Sequence, residues 1–101
     1  MQRVTLVRYT AKPDRAAENE TLSRAVFAEL RATAPNHVAY ALFRDGNEFV
    51  HLFINADADD SSAVTELPSF KTYAKDVGDR CLAPPEPMRF SLRLLESYGL
   101  R

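Results

Sequence analysis

Apolar and polar residues alternate with a period of two in four stretches of this chain, and apolar residues recur every three to four positions in two others. From Gln2 to Ala11, Val4, Leu6 and Arg8 alternate with Thr5, Val7 and Tyr9, which predicts a strand. Lys12-Pro13-Asp14 interrupts it. From Asp14 to Ala34, Leu22, Val26 and Leu30 step by four while Phe27 widens the stripe, which predicts a helix with Glu20 and Arg24 paired on its wet side. Ala34-Pro35-Asn36 ends that helix, and His37 to Ala56 reads as two alternating strands joined at Asp45-Gly46. Asp-Gly between alternating hydrophobics is a strong hairpin signal, because a type I′ turn needs positive φ at both central residues. That turn would set Arg44 against Asn47, Leu42 against Phe49, Tyr40 against His51 and Val38 against Phe53. Asp57, Asp59 and Asp60 then supply natural helix caps, and Ala63 to Leu67 fits a short helical turn. Pro68 opens a second helix running to Cys81, with Phe70, Tyr73, Ala74 and Val77 on its apolar side and Gly78 weakening it late. Ala83 to Pro87 forms a stiff connector. In the last strand, Met88 to Tyr98, the residues Met88, Phe90 and Leu92 alternate with Arg89, Ser91 and Arg93.

The order strand, helix, strand, strand, helix, strand predicts an α+β fold of the ferredoxin-like βαββαβ kind. Right-handed crossovers place both helices on one face of a four-stranded antiparallel sheet. Within the hairpin, Val38, Tyr40, Leu42, Phe49, His51 and Phe53 share one face, and Ala39, Ala41, Phe43, Val50, Leu52 and Ile54 share the other. The small Ala39 and Ala41 suit close approach of helices. The aromatic face is then left bare, and a patch of that kind is expected to be buried by a second copy packing sheet to sheet. The expected state is a homodimer.

Composition narrows the classes further. At 101 residues, the chain is expected to form one domain spanning 1–101. A net charge of −1 gives no general pull toward nucleic acid or an anionic membrane. The same strand order serves RNA-recognition modules, whose third strand needs a basic residue before glycine and spaced aromatics after it. Here Asp45 precedes Gly46, and Asn47 and Leu52 stand where aromatics belong, so nucleic-acid binding is rejected. The one cysteine, Cys81, suits a reducing interior, no apolar run approaches membrane-spanning length, and the amino-terminal residues read as a strand rather than a leader. The expected location is cytoplasmic.

His51 is the leading candidate for chemistry, because histidine titrates near neutrality and here sits mid-strand beside Tyr40 among aromatics. With Thr5, Val7, Tyr9, Ser91 and Arg93 on the same face, the site would hold a base, two phenols and a cation. The expected catalytic set is His51, Tyr40 and Arg93. His51 would remove a proton and Arg93 would steady the developing oxyanion, while Tyr9, Phe49 and Phe53 would hold a small aromatic or enolisable substrate. The bland reading makes His51 a hydrogen-bonded structural residue at the dimer seam. His37 reads as a loop-edge residue and Cys81 as a buried structural thiol. The acidic Asp57, Asp59 and Asp60 lack calcium-loop spacing. With no phosphate loop, dinucleotide fingerprint, nucleophile elbow or metal-ligand spacing, no metal and no cofactor is expected.

Several short stretches bear a resemblance that spans nearly the whole chain. They include Tyr9 with Lys12-Pro13, Glu18-Asn19-Glu20, Val26-Phe27-Ala28-Glu29-Leu30-Arg31, Tyr40, Asp45-Gly46 and Phe49-Val50-His51. They continue through Thr65-Glu66-Leu67-Pro68-Ser69-Phe70, Asp79-Arg80-Cys81, Pro84-Pro85 and Ser97-Tyr98. Together they resemble a bacterial branch of the dimeric α+β-barrel superfamily, the group of the antibiotic-biosynthesis-type monooxygenases. The resemblance implies a barrel of two subunits, each with its own cleft. It also implies a small aromatic or polyketide-like ligand and, in some members, oxygenation without metal or flavin. The chain lacks the tryptophan of haem-degrading relatives, and Pro68 to Cys81 lacks the second-helix histidine of the monooxygenases. Two functions follow as expectations: a cofactor-independent monooxygenase- or isomerase-like enzyme, or a non-catalytic ligand-binding or accessory homodimer.

Overall fold

The computed structural model describes residues 2–56 and 62–98. Its elements are β1 (Gln2–Thr10), α1 (Ala16–Thr33), β2 (Val38–Asp45), β3 (Glu48–Asn55), a helical turn α2 (Ser62–Thr65), α3 (Pro68–Lys75), a second turn α4 (Val77–Arg80) and β4 (Glu86–Leu92). The sheet order is β2-β3-β1-β4, and every pairing is antiparallel. This is the ferredoxin-like α+β fold expected from the strand and helix order. The reading of Asp57, Asp59 and Asp60 as caps lies outside the described residues.

The hairpin turns one residue later than the Asp-Gly signal predicts. Asp45 pairs with Glu48, so Gly46 and Asn47 form the loop, and Leu42 faces His51 while Tyr40 faces Phe53. Gly46 takes φ +60 and Asn47 has no positive φ, the pattern of a turn with glycine at its first central position. Each partner moves by two residues, an even step, so both faces keep their predicted members. A methyl group at Gly46 would meet nothing within 4 Å, so its cost is purely conformational. Gly46→Ala is expected to lower the unfolding free energy by about 1–2 kcal/mol in urea titration. An unchanged midpoint would show that the loop relaxes out of the left-handed region.

The faces themselves are used the other way round. The aromatic face lies under the helices: the Tyr40 ring meets Phe27 of α1 edge-on at 4.6 Å, and Phe49 is fully buried. The face of Ala39, Ala41 and Phe43 is the bare one, where Phe43, Met88, Phe90 and Leu92 are 45–57% exposed. The reason lies in α1. Its buried stripe is Ala16, Asn19, Ser23 and Val26, while Leu22 and Leu30 are only partly covered. A stripe of small side chains leaves depth to fill, and the large rings of the sheet fill it. The patch expected to lead to dimerisation is therefore that of Phe43, Met88, Phe90 and Leu92, and His51 lies beneath the helices rather than on the bare face.

Two further boundaries differ. The second helix breaks at Asp76, and the carbonyl of Tyr73, freed from the helical ladder, accepts 2.7 Å from the Arg80 guanidinium. β4 begins at Glu86 and ends at Leu92, so the expected connector supplies its first two residues. Pro87 is tolerated there because β4 is an edge strand paired only with β1. Among the described residues, no helix is long and apolar enough to cross a membrane.

Candidate functional site

Six elements converge on one imidazole. β3 carries His51 inward, 4% exposed, with Tyr9 of β1 on one side and Tyr40 of β2 on the other. The Tyr40 hydroxyl lies 2.8 Å from His51 Nδ1, and the Tyr9 hydroxyl lies 2.8 Å from His51 Nε2. The Tyr73 hydroxyl of α3 is 2.7 Å from that of Tyr9 and 3.3 Å from His51 Nε2. From α1, Asn19 Nδ2 donates to the Tyr9 hydroxyl at 2.9 Å, and the Ser23 hydroxyl donates to the Asn19 carbonyl at 2.8 Å. Arg80 of α4, only 1% exposed, donates from Nε to Asn19 Oδ1 at 3.0 Å. Because a guanidinium only donates, it fixes which way the Asn19 amide points. The Arg80 guanidinium also sits 5.3 Å from the centre of the Tyr73 ring.

Burial governs the protonation of this cluster. It lowers His51 to about 4, so the imidazole is neutral at pH 7. It raises Tyr40, Tyr73 and Tyr9, so all three phenols keep their protons. For Tyr9, the hydrogen bonds from Tyr73 and Asn19 oppose that rise. Cys81 is buried, and its thiol is likewise pushed up by desolvation, the state of an unreactive core thiol.

Beside the cluster lies a cavity of about 300 Å³ between sheet and helices. Tyr40, His51 and Tyr73 line one part of it, and Phe53, Phe70 and Val77 give it apolar walls. Arg3 and Arg89 also line it. Thr5, opposite Arg89 in the sheet, lines it too, and no described carboxylate bridges to either arginine. The volume sits at the lower end of small-molecule pockets.

Of the residues expected at the site, the structure brings His51, Tyr40, Tyr9 and Phe53 together. Phe49 stacks against Tyr9 at 5.6 Å but is fully buried and does not line the cavity. Arg93 lies beyond the end of β4, exposed and outside the cavity lining. Arg89, of the same parity, is the β4 arginine that lines the cavity, because the strand stops short of Arg93. Both nitrogens of His51 are already engaged by phenols, so a ligand in the cavity meets hydroxyls rather than a free imidazole nitrogen. His37 is half-buried rather than exposed, and its carbonyl accepts from the Ala56 N–H at 2.8 Å.

Sequence reasoning missed Arg3, Asn19, Tyr73, Arg80 and Arg89. Arg3 shares the parity of Thr5 and Tyr9, and Asn19 falls on a helical stripe with Ser23 and Val26, so both had a periodic signal. A buried tyrosine needs a partner for its hydroxyl, which marks Tyr73. Nothing local marks Arg80. Among the described residues, no group of three or more His, Cys, Asp or Glu side chains gathers.

This arrangement of strands and helices recurs in several solved structures. Rv0793 of Mycobacterium tuberculosis superposes with a TM-score of 0.80 at 18% identity, over 96% of this chain and 100% of that one. A protein of Caulobacter crescentus CB15, provisionally assigned as an antibiotic biosynthesis monooxygenase, gives 0.77 at 18% identity, over 92% and 91% of the two chains. SnoaB of Streptomyces nogalater, a cofactor-independent oxygenase, gives 0.68 at 22% identity, over 93% and 95%. No protein-family model and no curated protein matches the sequence. At these identities, the shared feature is the fold.

Proposed function

We propose that this protein is a cofactor-independent small-molecule enzyme, monooxygenase- or isomerase-like, acting on a small anionic aromatic or enolisable substrate. The observation that carries this reading is the cavity wall. It combines a hydrogen-bonded Tyr40–His51 pair, aromatic side walls and two arginines without a described carboxylate partner. Phe53 and Phe70 would hold a ring, and Arg3 and Arg89 would hold a carboxylate or enolate oxygen with charge-assisted hydrogen bonds. Tyr40 or Tyr73 would meet the proton that moves, with His51 behind them. Stabilising the enolate is the demand shared by isomerisation and by direct reaction of an electron-rich anion with oxygen. The likeness to SnoaB supports the oxygenase branch through fold alone.

The bare sheet face completes the reading. Phe43, Met88, Phe90 and Leu92 stand about half exposed on one surface, an apolar patch suited to a second copy packed sheet to sheet. The working unit is then a homodimer with one cavity in each subunit, in the cytoplasm, where the free thiol of Cys81 stays reduced.

Native mass spectrometry of the purified protein tests the assembly: two chains are expected, and a one-chain mass at micromolar concentration would overturn it. Titration with 1-hydroxy-2-naphthoate tests the site. Arg89→Ala is expected to weaken binding about tenfold, roughly 1.4 kcal/mol. Oxygen uptake or isomerisation with ligands of this class separates enzyme from carrier. Binding without turnover would favour the accessory reading, and equal affinity in Arg89→Ala would remove the anion site.

A further inference from the structure

The hydrogen-bonded chain Tyr40–His51–Tyr9–Tyr73 has two complete arrangements of its protons, and both satisfy every inward-facing group. In the first, the Tyr73 hydroxyl donates to the Tyr9 oxygen, Tyr9 donates to His51 Nε2, and His51 Nδ1–H donates to the Tyr40 oxygen. In the second, Tyr40 donates to Nδ1, Nε2–H donates to the Tyr9 oxygen, and Tyr9 donates to Tyr73. The distances of 2.8, 2.8 and 2.7 Å permit either direction along the whole chain. Asn19 donates to Tyr9 in both, its amide held in that orientation by Arg80. With one donor from Asn19 fixed, the Tyr9 oxygen accepts two hydrogen bonds and donates one in each arrangement. The number of hydrogen bonds is therefore the same, and the two states differ only in which end of the chain has a hydrogen to spare.

Those ends are Tyr40 and Tyr73, and both line the cavity, while Tyr9 in the middle does not. We propose that this chain is a proton relay, with His51 as its two-faced centre, that takes a proton from a cavity-bound molecule at Tyr73 and delivers one to it at Tyr40. The step balances. Tyr40 gives its hydrogen to the ligand and takes the Nδ1 hydrogen. Nε2 then takes the Tyr9 hydrogen, Tyr9 takes the Tyr73 hydrogen, and Tyr73 takes a proton from the ligand. One proton leaves the ligand, one enters it at a different atom, and all four side chains end neutral. The reverse shift, with water giving a proton at Tyr40 and accepting one at Tyr73, restores the first state.

Neutrality throughout is what the site favours. Burial disfavours the imidazolium and all three phenolates, so a concerted shift is easier than any stepwise route through a charged residue. This inference deepens the proposed function: the chemistry served is a 1,n-proton shift, as in moving a carbonyl compound through its enol. Tyr40 and Tyr73 are the groups that would touch the ligand, while His51, Tyr9, Asn19 and Arg80 act through them.

The test reads the tautomer of His51 in the free protein, by long-range proton–nitrogen correlation of ¹⁵N-labelled protein at pH 7, with His37→Gln to assign the two rings. In the unaltered protein, the His51 nitrogens are expected at shifts intermediate between the two neutral tautomers. Tyr73→Phe removes the acceptor that the Tyr9 hydrogen has in the second arrangement and leaves it pointing at Nε2, so the Nδ1–H form should take over. Tyr40→Phe would strand an Nδ1–H without an acceptor, so the Nε2–H form should take over. Should either phenylalanine variant fail to fold, Asn19→Asp draws the Tyr9 hydrogen to its carboxylate and is expected to favour Nε2–H. A single tautomer in the parent that no variant shifts would overturn the relay and make His51 a static structural residue. That readout needs no ligand, so it can fail while naphthoate binding succeeds, or succeed while binding fails.

Discussion

Arg80→Ala is expected to lower the unfolding free energy by about 3 kcal/mol, read from the urea midpoint at pH 7. The guanidinium is almost fully buried and holds Asn19 Oδ1 at 3.0 Å and the Tyr73 carbonyl at 2.7 Å. Its removal leaves two buried acceptors without a donor, at about 1–3 kcal/mol each. It also removes the cation from the face of the Tyr73 ring, 5.3 Å away, and opens a void beside α4. Relief from burying a charge that has no described carboxylate partner works in the opposite direction. The bonds are expected to win, because each satisfies a group that has no other described donor. Lysine at this position should recover little, since one ammonium lacks the fork that spans both acceptors. A variant as stable as the parent would mean that desolvating the guanidinium costs as much as its bonds return. The same substitution frees the Asn19 amide to rotate, so the Tyr9 hydroxyl would lose its fixed donor along with Arg80.

Acid is expected to unfold the protein through His51 before its carboxylates contribute. The imidazole titrates at about 4 in the folded chain, against about 6.5 when unfolded. The folded value is depressed because burial penalises the charged form. The unfolded state therefore binds the extra proton first, and stability falls as pH falls through this interval. The contribution is complete above pH about 6.5 and lost by about 4, and a gap of this size corresponds to about 3 kcal/mol. Glu18, Glu20 and Glu29 are also held below the usual carboxylate range, Glu18 by Arg15, Glu20 by Arg44 and Arg24, and Glu29 by the Ser69 hydroxyl and N–H. Their contribution is lost at lower pH, as pH falls through the ordinary carboxylate value and below it. Equilibrium unfolding of the parent and of His51→Gln at half-unit steps separates the two. The slope between 6.5 and about 5 should vanish in the variant, and an identical slope in both would place the titration elsewhere.

How much of this site the sequence showed follows from the range of each interaction. Tyr9, Tyr40, His51 and Phe53 could be grouped on one face because strand parity is local, and a register error of two residues left that parity intact. Arg93 lies outside the reach of that logic: parity orders residues only within a strand, and the pairing of β4 with β1 ends at Leu92. The small residues at Ala39 and Ala41 suggest the wrong face for the helices, because the stripe of α1 that meets the sheet is itself made of small residues. Ala16, Asn19 and Ser23 make the helix, not the sheet, the thin partner.

The sequence by itself determined the βαββαβ order, the antiparallel hairpin and the membership of the two sheet faces, and it singled out His51, which the structure places among three phenols. Those properties are carried by periodicity and turn residues, which act over a few positions. Only the tertiary structure decided that three phenols surround the imidazole, that Asn19 and Arg80 stand behind them, and that Arg3 and Arg89 border the cavity. Tyr73 and Arg80 reach Tyr9 and Asn19 across more than fifty residues of chain. Such contacts depend on how two helices settle on a sheet, and no local pattern encodes that depth or angle.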